Sequence, residues 1–167
     1  MSGRVGARGT AVRVQAPLLD RLIDDAPDQT RDPPVSVADT MAALRQSVRR
    51  DLEALLNARR RWRSWPKSLT ELPASPLGYG IPDFASGAFN DAKRREELRL
   101  EIEDTIRRFE PRFLSLRVHL IDGHEQLEST LRLRIDAVMH AEPAPEAVTF
   151  DTLLDPTTDD VLVSAKE

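Results

Sequence analysis

Acidic side chains are the first candidates for chemistry here, with 28 Asp and Glu among 167 residues. Two carboxylates flanking a glycosidic bond suffice to hydrolyse it, one as proton donor and the other as base or nucleophile. Glu110 is the best-placed donor, because it falls where a helical pattern gives way to a strand pattern. Asp83, Asp136 or Asp151 would be its partner. Three features weigh against this chemistry. With so many acids present, some pair always looks possible. Aromatic residues, the usual platforms for sugars, are only 5% of the chain. Arg112 stands two residues from Glu110 and favours the ionised carboxylate, the wrong state for a proton donor at neutral pH.

Other constellations are weaker. The three histidines are His119, His124 and His140. None lies three or four residues from another on a helix, and no cysteine accompanies them, so no zinc spacing is present. Gly78-Tyr79-Gly80 lacks the preceding strand and following helix of a nucleotide fingerprint. There is no G-x-S-x-G elbow, and Ser115 and Ser129 sit in or beside predicted strands. The run Arg59–Arg63, with Trp62 and Trp65, could stack and neutralise a nucleic acid. More often such a run is a solvated helix end whose tryptophans anchor the next loop. The net charge of −4 lacks the basic excess of a general nucleic-acid binder. No cofactor, metal or nucleic acid is expected.

Cysteine is absent, which excludes disulfides and fits a reducing compartment. No apolar run approaches a membrane-spanning length. The basic start, Met1 to Gly9, is not followed by an apolar core and does not read as a secretory signal. These features point to a cytoplasmic protein.

The elements that would position these residues read in order. Residues 1–16 are rich in Gly, Arg and Ala and are expected to be a flexible tail. Pro17 can start a short helix through Leu18-Leu19-Asp20-Arg21-Leu22-Ile23. Residues 24–34, with their Asp and Pro, read as a loop. Ser36 and Asp39 approximate a capping box for a long helix. Its apolar stripe is Val37, Met41, Leu44, Val48, Leu52 and Leu55. Arg59, Arg60, Arg61 and Arg63 are expected at its far end, where cations favour the helix dipole. Residues 66–90 mix prolines and glycines with apolar side chains and are expected to form an ordered loop, with room for one short helix, packed on the core.

A second helix is predicted from Asp91 to Phe109, with the stripe Leu98, Ile102, Ile106 and Phe109, ended by Pro111. The period then changes to two, predicting strands over 114–120 and 131–137, joined through Asp122-Gly123. A third strand fits 147–153, and Val161-Leu162-Val163 returns as a short edge strand. Helices followed by strands predict an α+β fold with N-terminal helices on a small antiparallel sheet from the C-terminal half. A single domain is expected over 17–164, followed by a tail at 165–167. Arg117, Arg132 and Arg134 alternate so as to form a basic patch on one sheet face, or an ordinary solvated face.

Five stretches carry a resemblance. They are Leu18-Leu19-Asp20-Arg21-Leu22; Leu44 to Asn57, containing Arg-Arg-Asp-Leu-Glu-Ala-Leu-Leu-Asn; Tyr79-Gly80-Ile81-Pro82-Asp83-Phe84; Ile106 to Arg112, containing Phe-Glu-Pro-Arg; and Val148 to Pro156. Together they resemble the TssE-like family, which joins baseplate subunits of type VI secretion systems to the lysozyme-like wedge subunit of contractile phage baseplates. The resemblance covers Pro17 to Pro156. Phe113 stands where Leu is common, and Pro73 and Pro76 enrich the middle loop.

The resemblance implies a non-enzymatic assembly subunit at the cytoplasmic face of the inner membrane, not inserted into it. Its implied partners are the wedge subunits TssF and TssG, TssK in the larger assembly, and the sheath subunits TssB and TssC. Glu110, Pro111 and Arg112 would dock on the helical core bundle of the wedge. Sheath polymerisation would begin by strand addition, which uses the unpaired backbone groups of a sheet edge. Such an edge is expected near 147–163, with Val148, Phe150, Thr152, Val161 and Val163 as partner-binding positions. The alternative is a lysozyme-like peptidoglycan glycosidase using Glu110.

Overall fold

The computed structural model describes residues 18–23, 27–28, 36–60, 65–66, 68–83, 91–121, 130–141, 144–155, 158 and 160–166. The expected tail at 1–16, most of the 24–34 loop, Arg61, Trp62, Arg63, Phe84, Asp122-Gly123, His124 and Ser129 lie outside these residues.

A short helix, α1 (Leu18–Leu22), precedes the long helix α2 (Val37–Asn57). Ser36 caps α2 as expected. Its hydroxyl accepts the Asp39 N–H at 3.1 Å and donates to the Asp39 carboxylate at 2.6 Å. Asp thus replaces the usual Glu in the box. Leu44, Val48, Leu52, Leu55 and Leu56 form the buried stripe.

The end of α2 differs from the expectation. The helix stops at Asn57, before the arginine run, and Ala58 is extended. Arg59–Arg60 form a two-residue strand, β1, paired in parallel with β2 (Ile81–Pro82). A distant segment causes the stop. Gly80 has φ 97°, a left-handed conformation open to glycine, and lets Ile81 donate its N–H to the Ala58 carbonyl at 3.0 Å. Ile81 is fully buried, so this return of the chain is held by the core. One cation still serves the helix end: the Arg59 guanidinium donates to the Leu56 carbonyl at 2.8 Å. Arg60 turns inward and pairs with Glu101.

The middle loop is ordered, with two 3-10 turns, Leu72–Ala74 and Pro76–Gly78, where one short helix was expected. Helix α3 (Ala92–Phe109) begins at Asp91, whose side chain accepts the Lys93 N–H at 2.9 Å. It buries Leu98, Ile102 and Ile106.

Four antiparallel strands follow: β3 (Phe113–Ile121), β4 (Leu131–Met139), β5 (Glu146–Leu154) and β6 (Val161–Lys166), hydrogen-bonded in that order. The last strand runs three residues beyond the expected Val163. Rows of inward side chains cross the sheet in register, such as Val118–Ile135–Phe150 and Leu133–Thr152–Val163. Helix α3 packs along β3 and α2 along β6, closing one core over the inner face. The fold is α+β, helices first.

Candidate protein-interaction surfaces

The Glu110-Pro111-Arg112 segment makes the corner between α3 and β3. The Glu110 N–H closes the last turn on the Ile106 carbonyl at 2.8 Å. Pro111 cannot continue the helix. The Arg112 carbonyl accepts the His140 N–H at 2.7 Å, tying the corner to the end of β4. Glu110 is buried, with only 5% of its surface exposed. Its carboxylate takes a fork from Arg112, whose Nε donates to Oε1 at 2.6 Å and whose Nη2 reaches Oε2. The same Nη2 donates to Asp51 of α2 at 2.7 Å. Asp51 also meets Arg50, and Arg50 pairs with Asp20 of α1 at 2.8 Å. A charge chain Glu110–Arg112–Asp51–Arg50–Asp20 therefore joins all three helices to the corner.

The electrostatics follow from this chain. Burial pushes the Arg112 guanidinium down, but Glu110 and Asp51 outweigh it and hold it above its ordinary value. The Ser47 hydroxyl, and after it Arg50, hold the Asp20 carboxyl below its usual value against the opposing push of burial. Tyr79 sets its ring edge-on to Phe109 at 5.3 Å. Its phenol is raised by burial and then by the negative charges of Asp51 and Glu110. Pro111 is exposed, as are Leu77 and the α1 residues Leu19 and Leu22.

This geometry bears on the carboxylate chemistry. The acid that shares Arg112 with Glu110 is Asp51, and not Asp83, Asp136 or Asp151. Asp136 accepts from Thr149 at 2.8 Å, and Asp151 pairs with Arg134 at 2.8 Å. Both stand at strand positions that alternate with the buried residues, on the face turned from the helices. Among the described residues, no group of three or more His, Asp or Glu is placed to hold a metal ion.

Of the two readings of Arg117, Arg132 and Arg134, a basic patch or an ordinary solvated face, register favours the second. Arg117 lies opposite Asp136, and Arg134 opposite Asp151. The outer face therefore alternates in sign, with Arg134 raised and Asp151 lowered chiefly by their mutual hydrogen bond.

Val148, Phe150 and Thr152 lie on β5, which is paired on both sides, and their side chains are buried. They present no free backbone edge. Val161 and Val163 are also buried, but on β6, an edge strand. That edge is partly covered by α2. The Asn57 carboxamide accepts the Val161 N–H at 2.8 Å and donates to the Val161 carbonyl at 2.9 Å. Arg49 donates to the Val163 carbonyl at 3.2 Å. The opposite edge, β3, is covered by α3. Glu103 accepts the Val118 N–H at 3.1 Å, and Arg99 donates to the Val118 carbonyl at 2.9 Å. Sequence reading missed these four side chains. An Asn in the last turn of a helix, where its amide competes with the backbone, was the one signal available.

These features define a small α+β domain with two principal helices on one face of a four-stranded antiparallel sheet, its edges capped by helix side chains. The chain belongs to the family of baseplate wedge protein gp25, which it matches over residues 42–144. This is also the family of TssE, and it consists of components of phage-tail-like contractile baseplates. The matched span takes in α2 from Ala42 onward, α3, β3, β4 and the Glu110–Arg112 corner, and ends before β5 and β6. No curated protein matches the chain.

Proposed function

We propose that this chain is the TssE-type subunit of a type VI secretion baseplate, joining the wedge and initiating the contractile sheath. Membership of the baseplate wedge family over 42–144 carries this reading. The motifs Arg49 to Asn57, Tyr79 to Phe84 and Phe109 to Arg112 support the secretion-system branch by resemblance. In this reading the Glu110-Pro111-Arg112 corner meets the core bundle of TssF and TssG, with TssK further out. The β6 edge receives a strand from TssB–TssC, and the chain acts without catalysis in the cytoplasm. Among the described residues no helix is long and apolar enough to cross a membrane.

Co-expression tests the reading. A tagged chain should retain TssF and TssG through purification and should seed TssB–TssC polymers. Arg112→Ala should lose TssF and TssG at a temperature where circular dichroism shows the variant still folded. Failure of the unmodified chain to retain them, or turnover of purified peptidoglycan that Glu110→Gln abolishes, would overturn it.

A further inference from the structure

In an antiparallel ladder every second residue of an edge strand turns its N–H and C=O away from the sheet. On β6 these are Val161 and Val163, and by the same alternation Ala165. A primary carboxamide offers the donor and acceptor of a peptide group. Asn57 therefore fills, with one side chain, the place that a residue of a neighbouring strand would take beside Val161. Arg49, itself held by Glu53 at 2.7 Å, takes the next outward carbonyl at Val163. Among the described residues neither the Val163 N–H nor the Ala165 peptide groups have a hydrogen-bond partner on this side, and the strand passes from buried Val163 to exposed Ala165. The edge is closed at one end and open at the other.

The β3 edge is closed differently. Glu103 and Arg99 are ion-paired to each other at 2.9 Å, and each has a further partner, Arg107 and Glu96. Hydrogen bonds from such charged groups are stronger than those of a neutral amide. Opening β3 would also strip a four-residue charge network. Opening β6 at Val161 releases one neutral amide.

We propose that Asn57 and Arg49 form a latch on the β6 edge, which an incoming extended strand displaces. The strand takes over Val161 from Asn57 and Val163 from Arg49, then gains the unbonded groups as far as Ala165. Its side chains at alternate positions continue the apolar face beside Val161 and Val163. The latch thereby sets where the added strand begins. In the free chain it keeps two copies from pairing edge to edge, the common failure of an open strand. This inference rests on the strand-addition reading and concerns its regulation.

The full-length chain tests it through Asn57→Ala, with Asn57→Asp as a second variant that keeps the size but loses the donor. Alanine suits the helix end, so the fold is retained. Amide exchange at Val161, followed by NMR, should quicken about fivefold or more, while exchange at Leu162 is unchanged. Affinity for purified TssB–TssC should rise by a similar factor, because the Asn57 bonds at Val161 need no longer break, leaving only that of Arg49. Arg99→Ala, on the β3 edge, should not raise it. If the unmodified chain binds TssB–TssC but Asn57→Ala binds no more tightly, the latch is overturned and the strand-addition reading stands. An equal gain from Arg99→Ala also overturns the latch. If neither the unmodified chain nor Asn57→Ala binds, the strand-addition reading falls and takes the latch with it.

Discussion

Arg112 reaches Asp51 at 2.7 Å across 61 positions of sequence, joining the corner after α3 to the middle of α2. It also forks onto Glu110, the more buried of its two acids. Removing the guanidinium would leave a buried carboxylate without its counter-charge. Arg112→Ala should therefore destabilise the fold by about 2–3 kcal/mol, toward the low end for breaking a buried pair because Arg112 itself reaches solvent. Arg112→Lys should recover only part of this, since an ammonium cannot make the planar fork. Urea denaturation of the three proteins checks both statements. A loss under about 0.5 kcal/mol for Arg112→Ala would mean the network is a surface decoration.

Acid should weaken the fold through identifiable groups. Burial pushes the Glu103 carboxyl up, but Arg107, the Val118 N–H and Arg99 outweigh it, so its folded-state value lies below the ordinary 4.5. Asp20 and Asp151 likewise lie below 3.8. A lowered folded value means that the unfolded chain binds protons first as pH falls. The stability these carboxylates supply is fully present above their ordinary values and is lost as pH drops through the lowered ones. Denaturation midpoints should hold steady from pH 7 to about pH 5 and then decline. Glu103→Gln should lower the midpoint at neutral pH and flatten the decline. A variant with the same acid slope as the unmodified chain would remove Glu103 from the account.

The Tyr79-Gly80-Ile81 segment has a steric requirement. A Cβ on Gly80 would come within 2.3 Å of the Ala58 carbonyl oxygen, at a φ of 97°. Left-handed backbone costs an L-residue about 1–2 kcal/mol, and the overlap adds to it. Gly80→Ala should thus lose at least about 2 kcal/mol and release the β1–β2 pairing. Thermal melting measures the loss, and faster amide exchange at Ile81 locates it. A variant as stable as the original would mean that the loop simply shifts away.

The same segment shows what a sequence can and cannot display. Period-two alternation and the Ser36 cap are local, so the four strands and the start of α2 were legible. The end of α2 was not. An arginine run suits a helix terminus, and only the return of Ile81 to Ala58 stops the helix at Asn57. The corner was half legible: Glu110 and Arg112 stand two apart, but Asp51 joins them only in the fold. Whether the outer face was a basic patch stayed open because Asp136 and Asp151 come opposite arginines only through strand register. Asn57 and Val161 are 104 positions apart, and no local pattern announces such a contact.

Thr152 offers a test in the opposite direction. It was expected among the strand-adding positions, yet it is buried on β5, between Leu133 and Val163. Its hydroxyl has no hydrogen-bond partner among the described residues. A buried hydroxyl without a partner forfeits its hydration and gains nothing in return. Valine has nearly the same shape and fits a strand at least as well. Thr152→Val should raise stability by about 1 kcal/mol, read as a higher urea midpoint at unchanged slope. Because β5 is already paired on both sides, the same variant should associate with TssB–TssC as the unmodified chain does. Lower stability would reveal an unseen partner for the hydroxyl. Lost association would return Thr152 to the docking surface.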